Sequence, residues 1–321
     1  MITLYTRTDG RLLRGGPEIL GPDALWIDLL SPTPEEEDAV EALIGADVPT
    51  REEMQEIEVS SRLSRDGDHL TMTAPVLTNS TGINPQNVAM TFILAGDRLI
   101  TVRYGTPQAV AAYMARLERG RPPAGGAGEV LLSLIEGIVD RLADVLERIA
   151  AEQDAISHRI FHHPNRQRRR SSSRELEVML RTIGRGGDLQ SKAHDTIMGL
   201  RRVIAFLPEE ELGLRDGRAR LKTIGRDLQS LAEYAAFLAN KVAFLLDATL
   251  GIINIQQNHI IKLFSVMAVL LMPPTLVASI YGMNFHHMPE LDWVWGYPLV
   301  LGLMVAAALI PFWLFKRKGW M

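Results

Sequence analysis

The stretch LFSVMAVLLMPPTLVASIY, residues 263–281, contains no charged side chain and is long enough to cross a lipid bilayer as one helix. A second uncharged stretch, GYPLVLGLMVAAALIPFWLF, occupies residues 296–315. Each has the roughly 20 residues that a helix needs to span a hydrocarbon layer about 30 Å thick. Two buried core helices of a water-soluble protein would be a second interpretation. Because the two stretches lie so close together, we predict two transmembrane helices.

Basic residues flank these stretches on one side only. Lys262 precedes the first stretch, and Lys316, Arg317 and Lys318 follow the second. Because positive residues stay on the cytoplasmic side of a membrane, both termini are predicted in the cytoplasm and residues 282–295 outside, as a periplasmic loop. The sequence therefore predicts a multi-pass protein of the cell inner (plasma) membrane, with the lipid bilayer as a partner.

The rest of the chain has the composition of a water-soluble protein. Of the 321 residues 22% are charged, and the formal net charge of −4 gives no reason to expect nucleic acid as a partner. The sequence has no phosphate-binding loop of the Walker type, so no nucleotide is expected. Because cysteine is absent, disulfides and thiolate metal sites are excluded. Residues 1–10 lack the apolar core of a signal peptide, so roughly the first 260 residues are expected in the cytosol.

Strand and helix patterns mix over residues 1–125, which we predict to form a cytosolic α/β domain. Residues 33–36, TPEE, are typical of a helix N-cap with a capping box. Further helices are predicted over residues 50–58 and 107–118, and Gly96-Asp97 is typical of a tight hairpin turn. Short alternating or apolar runs predict five strands, at residues 2–6, 24–30, 69–77, 88–95 and 99–104.

Helical periodicity dominates after the stretch RPPAGGAG (121–128), which is typical of a linker or a tight turn. Residues 126–217 are predicted to form a cytosolic helical hairpin. Its first helix is expected to end near Phe161 and its second to begin within residues 171–175. The basic run RQRRR (166–170) suits either a solvated turn or contact with lipid phosphates or acidic partners.

No proline interrupts residues 209–272, and the apolar periodicity continues directly into the first membrane segment. We predict one helix over residues 218–281, roughly 95 Å long, that serves as a stalk and becomes the first transmembrane helix. Residues 296–321 are predicted to form the second transmembrane helix and a basic cytosolic tail. Such a stalk can link a cytosolic sensor mechanically to a gate in the membrane.

Two transmembrane helices cannot enclose a pore, so a conducting protein of this kind needs several chains around one axis. The first helix is the better pore wall, because it has a stripe of small, polar or uncharged residues within an arc of roughly 100°. Ordinary packing between membrane helices would also suit such a stripe. Pro273 and Pro274 lack an N–H and are expected to bend this helix or relax its hydrogen bonding. The members of the stripe are Asn258, Ile261, Ser265, Ala268, Met272, Thr275 and Ser279.

The end of the first membrane segment resembles a known family. Tyr281-Gly282-Met283-Asn284 is similar to the signature of CorA-type magnesium transporters. A bare Gly-x-Asn has no such specificity, since Gly82-Ile83-Asn84 occurs in the cytosolic part. The resemblance covers nearly the whole chain, and it extends to Phe285, Met288-Pro289-Glu290-Leu291, Trp295-Gly296-Tyr297-Pro298, Lys316-Arg317-Lys318, Trp26-Ile27-Asp28-Leu29 and the stretch from Pro49 to Leu63.

This resemblance implies a homopentameric, funnel-shaped channel with an α/β cytosolic domain, a stalk helix that becomes the pore wall, and a second, outer transmembrane helix. It implies influx of Mg²⁺, with Co²⁺ and Ni²⁺ as further candidate ions, down the membrane potential. Mg²⁺ would be both the transported ion and the intracellular regulator that closes the channel. The protein would then be a transporter and not an enzyme.

By the same resemblance Gly282, Met283 and Asn284 form the selectivity filter. Mg²⁺ prefers octahedral oxygen coordination and releases its water reluctantly. A ring of Asn284 amide oxygens can accept hydrogen bonds from the water shell of the ion, whereas a ring of carboxylates would bind the ion tightly and slow its exit. Gly282 is expected to allow an unusual backbone conformation, and Met283 to hold the turn.

The resemblance also assigns residues on either side of the membrane. Asp247 matches an acidic position near the cytosolic mouth, so Asp247 and Asn284 are the candidate metal contacts. Glu290 and Asp292 in the outer loop would attract cations, or they are simply solvated. The pore-lining residues that the resemblance implies are Asn258, Ile261, Phe264, Met272 and Thr275.

The sequence departs from the family pattern at two places. His286 and His287 follow Phe285, where the family often has a glutamate, and they suit either a collector of Zn²⁺ or Co²⁺ or an exposed loop. The acids that would sense intracellular Mg²⁺ are not identifiable, because Thr223 and Asp227 occupy that region of the stalk. Two alternatives stay open: a Zn²⁺ transporter of the related branch, and a non-conducting, membrane-anchored metal sensor or scaffold.

Overall fold

The computed structural model describes residues 1–8, 11–16, 20–21, 23–56, 58, 62–82, 84–119, 126–161, 173–283, 288–289 and 293–318. The chain divides into two units, Met1–Leu246 and Asp247–Met321. The first unit contains every strand among the described residues. The second contains the end of one long helix and all of the helix that follows it.

The first unit is built on a seven-stranded sheet of order β2-β1-β3-β7-β6-β5-β4. Strands β3 and β7 run parallel, and the other neighbours are antiparallel. The five predicted strands are confirmed, whereas β2 and β4 were missed because neither has a clear apolar alternation. The strands are β1 Ile2–Thr8, β2 Arg11–Gly15, β3 Ala24–Leu30, β4 Leu63–Asp66, β5 His69–Thr78, β6 Gln86–Ala95 and β7 Arg98–Arg103.

The predicted turn chemistry of this unit is confirmed at two positions. Gly96 has a φ of +55° in the β6–β7 turn, a left-handed conformation that glycine adopts without strain. At the start of the first helix, the Thr33 side chain accepts a hydrogen bond from the N–H of Glu36, and the Glu36 side chain accepts one from the N–H of Thr33. This reciprocal pair is the predicted capping box.

Helices cover both faces of the sheet. Helix α1 (Pro34–Ile44) and helix α2 (Arg51–Gln55) pack against one face with a small apolar core. Helix α3 (Gln108–Glu118), helix α4 (Ala127–Phe161) and helix α5 (Ser173–Phe206) contribute to a larger core on the other face. Helix α2 is shorter than the predicted range of 50–58 and begins with its own capping box at Thr50.

The central strand pair β3–β7 contains a buried polar network. Trp26 stacks on Tyr5 at a centroid distance of 4.7 Å, and its Nε1 donates to Thr101 Oγ1. Thr101 Oγ1 in turn donates to Asp28 Oδ1 at 2.7 Å. The Arg103 guanidinium donates to both oxygens of Asp28, at 2.9 and 2.8 Å. Because every charge in this network has partners, the network ties two parallel strands together without leaving an unpaired buried ion.

The beginning of helix α4 corrects one prediction. The stretch 121–128 was predicted to be a linker or turn, but Ala127 and Gly128 already belong to the helix. A Cβ atom at Gly128 would lie 2.2 Å from the carbonyl oxygen of Leu212, so only glycine allows this close approach of two backbones. The basic run 166–170 and the start of the second hairpin helix at 171–172 lie outside the described residues.

The long helix α6 spans Gly217–Tyr281, and helix α7 spans Gly296–Arg317. In the first unit, two buried glutamine side chains bind the backbone of α6: Gln153 Nε2 donates to Leu238 O at 3.3 Å, and Gln190 Nε2 donates to Ala235 O at 2.9 Å. In the second unit, Pro273 and Pro274 lie within α6 and do not end it.

Candidate ion pathway

Helices α6 and α7 each contain a window long and apolar enough to cross a membrane. The core helix of a water-soluble protein would be mostly buried, yet 6% of the window in α6 and none of the window in α7 is buried. Exposed apolar surface of this extent requires a partner other than water. The structure therefore favours membrane helices over buried core helices.

One side of α6 in the second unit is partly covered. Val266 is the most buried residue of this side, and Ile252, Leu270, Val277 and Tyr281 are half-buried along the same face. Helix α7 has a similar partly covered face at helical spacing, with Gly296 buried and the following residues half-buried: Val300, Met304, Ala307, Ala308, Pro311 and Phe315. Each of the two helices therefore has one partly covered face in this unit.

The predicted stripe lies on the opposite side of α6. With about 100° per residue, its centre is roughly 150° from the centre of the covered face. The structure thus separates the partly covered face of α6 from the face that stays free in one chain. All seven stripe residues are exposed: Asn258, Ile261, Ser265, Ala268, Met272, Thr275 and Ser279.

Large apolar side chains protrude from this free face at three predicted positions. Ile261, Phe264 and Met272 are 62%, 66% and 69% exposed. Ile261 and Met272 lie within the stripe, whereas Phe264 lies about 20° beyond its edge. If copies of the chain surround an axis, the Ile261 and Met272 side chains would narrow the space along that axis most directly.

The polar groups of the free face have few partners. Thr275 donates its hydroxyl hydrogen to Leu271 O at 2.7 Å, which leaves the lone pairs of Oγ1 available. The side chains of Asn258 and Asp247 are exposed and have no hydrogen-bond or ion-pair partner among the described residues. A polar group of this kind can bind water or the hydration shell of an ion.

Sequence reasoning missed two residues of this face. Leu250 and Asn254 are exposed and continue the spacing of three and four residues between Asp247 and Asn258. The sequence contained a signal for both residues, because the same helical spacing continues from the stripe into the turns that precede the uncharged stretch.

Helix α6 ends at Tyr281 with a normal backbone geometry. The N–H of Gly282 donates to Ala278 O at 2.9 Å, and the N–H of Met283 donates to Ile280 O at 3.3 Å. Gly282 does not have a positive φ, so the expected unusual conformation is wrong. A Cβ atom at Gly282 would lie 3.1 Å from the carbonyl oxygen of Ala278, a short contact with the backbone of the same helix. Met283 is half exposed.

The remaining predicted residues of the outer loop fall on positions that the structure does not describe. Asn284, Glu290 and Asp292 lie outside the described residues, as do His286 and His287. In the first unit, Thr223 and Asp227 are exposed on α6. Within the described ranges of one chain, no three His, Asp or Glu side chains are grouped to hold a metal ion.

Comparison with known proteins agrees with this architecture. A family model described as CorA-like Mg²⁺ transporter protein matches residues 22–317. Two proteins named magnesium transport protein CorA, from Pasteurella multocida and Escherichia coli, are each 34% identical to this chain, with 100% of both sequences covered. The complete CorA structure from Methanocaldococcus jannaschii shares the fold, with a TM-score of 0.71 and 19% identity over 100% of this chain and 99% of that one.

These observations agree on one architecture: a mixed-sheet domain, a long helix and two apolar helices near the carboxyl terminus. The family match spans the sheet domain and both apolar helices. The chain is therefore a membrane protein and belongs to the CorA-like Mg²⁺ transporter family.

Proposed function

We propose that the protein is a passive, selective channel for Mg²⁺ influx, driven by the negative-inside membrane potential. The observation that carries this proposal is the free, uncharged stripe of α6, which leads to Gly282-Met283-Asn284. The names of the relatives from Pasteurella multocida and Escherichia coli support magnesium as the ion. Co²⁺ and Ni²⁺ are further candidate substrates, on the family resemblance alone.

The channel requires more than one chain. One chain provides two membrane-spanning helices, and α7 covers the side of α6 that faces away from the stripe. Copies of α6 arranged around an axis would bring their stripes together as the wall of a conduit. We propose a homopentamer, in which the number five comes from the family resemblance. Both termini lie in the cytoplasm, and residues 282–295 form the periplasmic loop.

Selection takes place at a collar of Asn284 side chains. Mg²⁺ keeps its water shell unless the ligands replace it with good octahedral geometry. Amide oxygens accept hydrogen bonds from that shell without the strong attraction of a carboxylate ring, so the ion is recognised and then released. Gly282 and Met283 hold the collar at the helix end, and Glu290 and Asp292 raise the cation concentration at the entrance.

Asp247 marks the cytosolic end of this pathway. Repeated around the axis, its carboxylates would attract an ion that has passed the uncharged stripe. Intracellular Mg²⁺ closes the channel by bridging acidic faces of neighbouring cytosolic domains, and α6 transmits this state to the membrane. The division into a cytosolic domain (1–125), a helical hairpin (126–217) and a stalk continuing into the membrane (218–281) is part of this proposal.

The test is Mg²⁺ flux into proteoliposomes, measured with an internal dye over a range of internal Mg²⁺ concentrations. We expect Asn284→Ala to lower the flux at least about tenfold, because each lost hydrogen bond to a charged hydrate costs more than a neutral one. The matched control is Asn84→Ala, which removes the exposed asparagine of the other Gly-x-Asn sequence. Wild-type flux in Asn284→Ala would remove the collar from the filter.

Two further measurements separate the alternatives. Hexaamminecobalt(III), which resembles hydrated Mg²⁺, should block a filter for hydrated ions. A Zn²⁺ transporter would instead pass Zn²⁺ in preference to Mg²⁺ and resist this block. A membrane-anchored sensor without conduction would show no ion flux in any variant.

A further inference from the structure

Helix α5 of the first unit contains three glycines in its interior, Gly184, Gly186 and Gly187. Glycine inside a helix costs stability relative to alanine, so such a cluster needs a physical reason. Gly187 has one, because a Cβ atom there would lie 3.3 Å from Val242 Cγ1 of α6. Beyond the backbone of their own helix, Cβ atoms at Gly184 and Gly186 would meet no atom of the described residues within 4 Å. Packing among those residues therefore does not require glycine at these two positions.

The space beside these two glycines belongs to a cavity of about 460 Å³ between α4, α5 and the loop that joins β5 to β6. Sites for small molecules commonly have volumes of about 300–1,000 Å³. Because Gly184 and Gly186 lack a Cβ atom, a ligand in the cavity can approach the backbone of α5 closely. Polar side chains of all three elements line the cavity: Ser80, Thr81, Arg148, Glu152, Thr182 and Arg185.

The wall formed by the β5–β6 loop is fixed by hydrogen bonds within the protein. The carbonyl oxygen of the buried Ser80 accepts a hydrogen bond from Arg148 Nη2, and Ser80 Oγ accepts one from Arg141 Nη2 at 3.3 Å. The N–H of Gly82 donates to Asn79 O at 2.9 Å and closes the turn. The guanidinium of Arg148 is thus positioned at the cavity in advance, which reduces the entropy lost when a ligand binds.

Two arginines give the cavity its positive charge. Arg185 is exposed and has no hydrogen-bond or ion-pair partner in the part of the chain that the structure describes. The hydrogen bond from Arg148 to Ser80 uses one of the five N–H donors of that guanidinium. Planar guanidinium groups match the oxygens of a phosphoryl group and form strong, charge-assisted hydrogen bonds with them. The exposed hydroxyl of Thr81 adds a neutral donor.

Two carboxylates line the same cavity and limit its positive charge. Asp188 forms an ion pair with Lys192 at 2.6 Å, so its charge is balanced locally. Glu152 is exposed and has no partner among the described residues. Its carboxylate repels an anion but can accept hydrogen bonds from hydroxyl groups of a ligand. The cavity therefore suits a molecule that has both an anionic group and hydrogen-bond donors.

We propose that this cavity binds a small molecule with a phosphoryl group, whose oxygens contact Arg148 and Arg185 while the remainder lies against the backbone at the two glycines. An organic phosphate and free inorganic phosphate would share the arginine contacts. The site differs from a Walker loop, which the sequence lacks, because side chains supply the donors. It belongs to the first unit of one chain, so it does not depend on the proposed channel.

Calorimetric titration of the full-length protein, solubilised in detergent and phosphate-free buffer, tests this site with adenosine monophosphate, inorganic phosphate and adenosine. Tighter binding of adenosine monophosphate than of phosphate identifies an organic phosphate as the ligand class, and equal binding identifies the free ion. The proposal is overturned when neither phosphate compound binds. It is also overturned when adenosine binds as tightly as its monophosphate.

Arg185→Ala should weaken binding of the phosphate compounds at least about tenfold, because a charge-assisted hydrogen bond is lost. Arg181→Ala is the matched control, since this arginine lies one turn earlier on α5, pairs with Glu177 and does not line the cavity. Its binding should equal that of the wild type. Equal binding in Arg185→Ala would exclude the proposed site.

Two more variants distinguish a ligand site from a purely structural cavity. Gly186→Ala places a methyl group in the cavity, so binding should weaken, whereas the melting temperature should rise because alanine favours helix. Glu152→Gln removes a repulsive charge and should tighten phosphate binding about threefold. Unchanged binding in Gly186→Ala, or weaker binding in Glu152→Gln, would show that the phosphoryl group does not bind in this cavity.

Discussion

The two units of this chain differ in how their polar groups are satisfied. In the first unit, the buried carboxylate of Asp28 accepts hydrogen bonds from Thr101 and twice from Arg103. In the second unit, Asp247, Asn254 and Asn258 are exposed and unpartnered among the described residues. In this network the first unit satisfies its buried charges within one chain. The second presents polar groups whose partners must come from water, ions or other copies.

Apolar side chains show the same contrast. Trp26 and Phe92 of the first unit are fully buried between the sheet and its helices, whereas Met272 and Leu299 of the second are more than half exposed. Water-soluble monomers rarely expose so large a contiguous apolar surface. In the proposed channel, lipid and neighbouring subunits cover the second unit, so its variants should affect transport more than the stability of the isolated fold.

The largest stability effect is expected at the buried ion pair. Asp28→Ala leaves Arg103 buried without its carboxylate and should lower the free energy of unfolding by about 3–5 kcal/mol. The control is Asp154→Ala, which breaks the exposed pair with Lys241, where Asp154 is 72% exposed. Loss of that exposed pair should cost no more than about 1 kcal/mol. Urea unfolding of the detergent-solubilised protein, followed by circular dichroism, measures the free energy of unfolding of both variants. Equal losses of stability in Asp28→Ala and Asp154→Ala would contradict the predicted difference between the buried and the exposed ion pair.

A smaller effect, on transport and not on stability, is expected at Thr275. Thr275→Val keeps the shape of the side chain but removes its hydroxyl group. In the wild-type protein this hydroxyl donates a hydrogen bond to Leu271 O. Because an oxygen that can bind hydrated ions is lost, Mg²⁺ flux should fall about fivefold. Thr275→Ser keeps the hydroxyl and should retain most of the flux. If the valine variant transports like wild type, Thr275 does not line the pathway.

The smallest effect is expected at Glu37 on the surface of the first unit. The pKa of Glu37 is raised, mainly by burial of its carboxyl and also by the nearby carboxylates of Glu41, Asp38 and Glu52. A hydrogen bond from Tyr104 lowers this pKa, but it does not cancel the increase. When folding raises the pKa of a carboxyl group, the ionised group destabilises the folded state at any pH above this raised pKa. The destabilisation disappears when the pH falls below the pKa that the group has in the unfolded chain, because the group is then protonated in both states. Glu37→Gln should therefore raise the melting temperature slightly at pH 7.

The sign of this prediction can be checked within the same helix. The hydrogen bond with Thr33 lowers the pKa of the exposed Glu35, so its charge stabilises the fold at neutral pH and the benefit fades as the pH falls. Glu35→Gln should lower the melting temperature at pH 7. Both differences should shrink as the pH falls to about 4, where unfolded glutamates take up protons. Shifts of the same sign in both variants would refute this electrostatic account.

Local sequence signals predicted much of the secondary structure. The capping box at Thr33, the Gly96 turn and the five main strands depend on neighbouring residues and are confirmed. Strand β4 was missed because Leu63–Asp66 is a short, mostly polar strand at the sheet edge, where the pairing with β5 decides its conformation. The helical start at Gly128 was missed because glycines usually interrupt helices, and only the approach of Leu212 explains that residue.

The sequence by itself determined the two apolar segments, the continuous periodicity before them and the residues that identify the family, since length, charge and spacing are local properties. Only the tertiary structure decided that Asp28 pairs with Arg103 across parallel strands, and that the covered face of α6 lies opposite Asn254 and Asn258. Periodicity shows which residues share a side of a helix. It does not show which side another element covers, because burial depends on contacts between residues far apart in the chain.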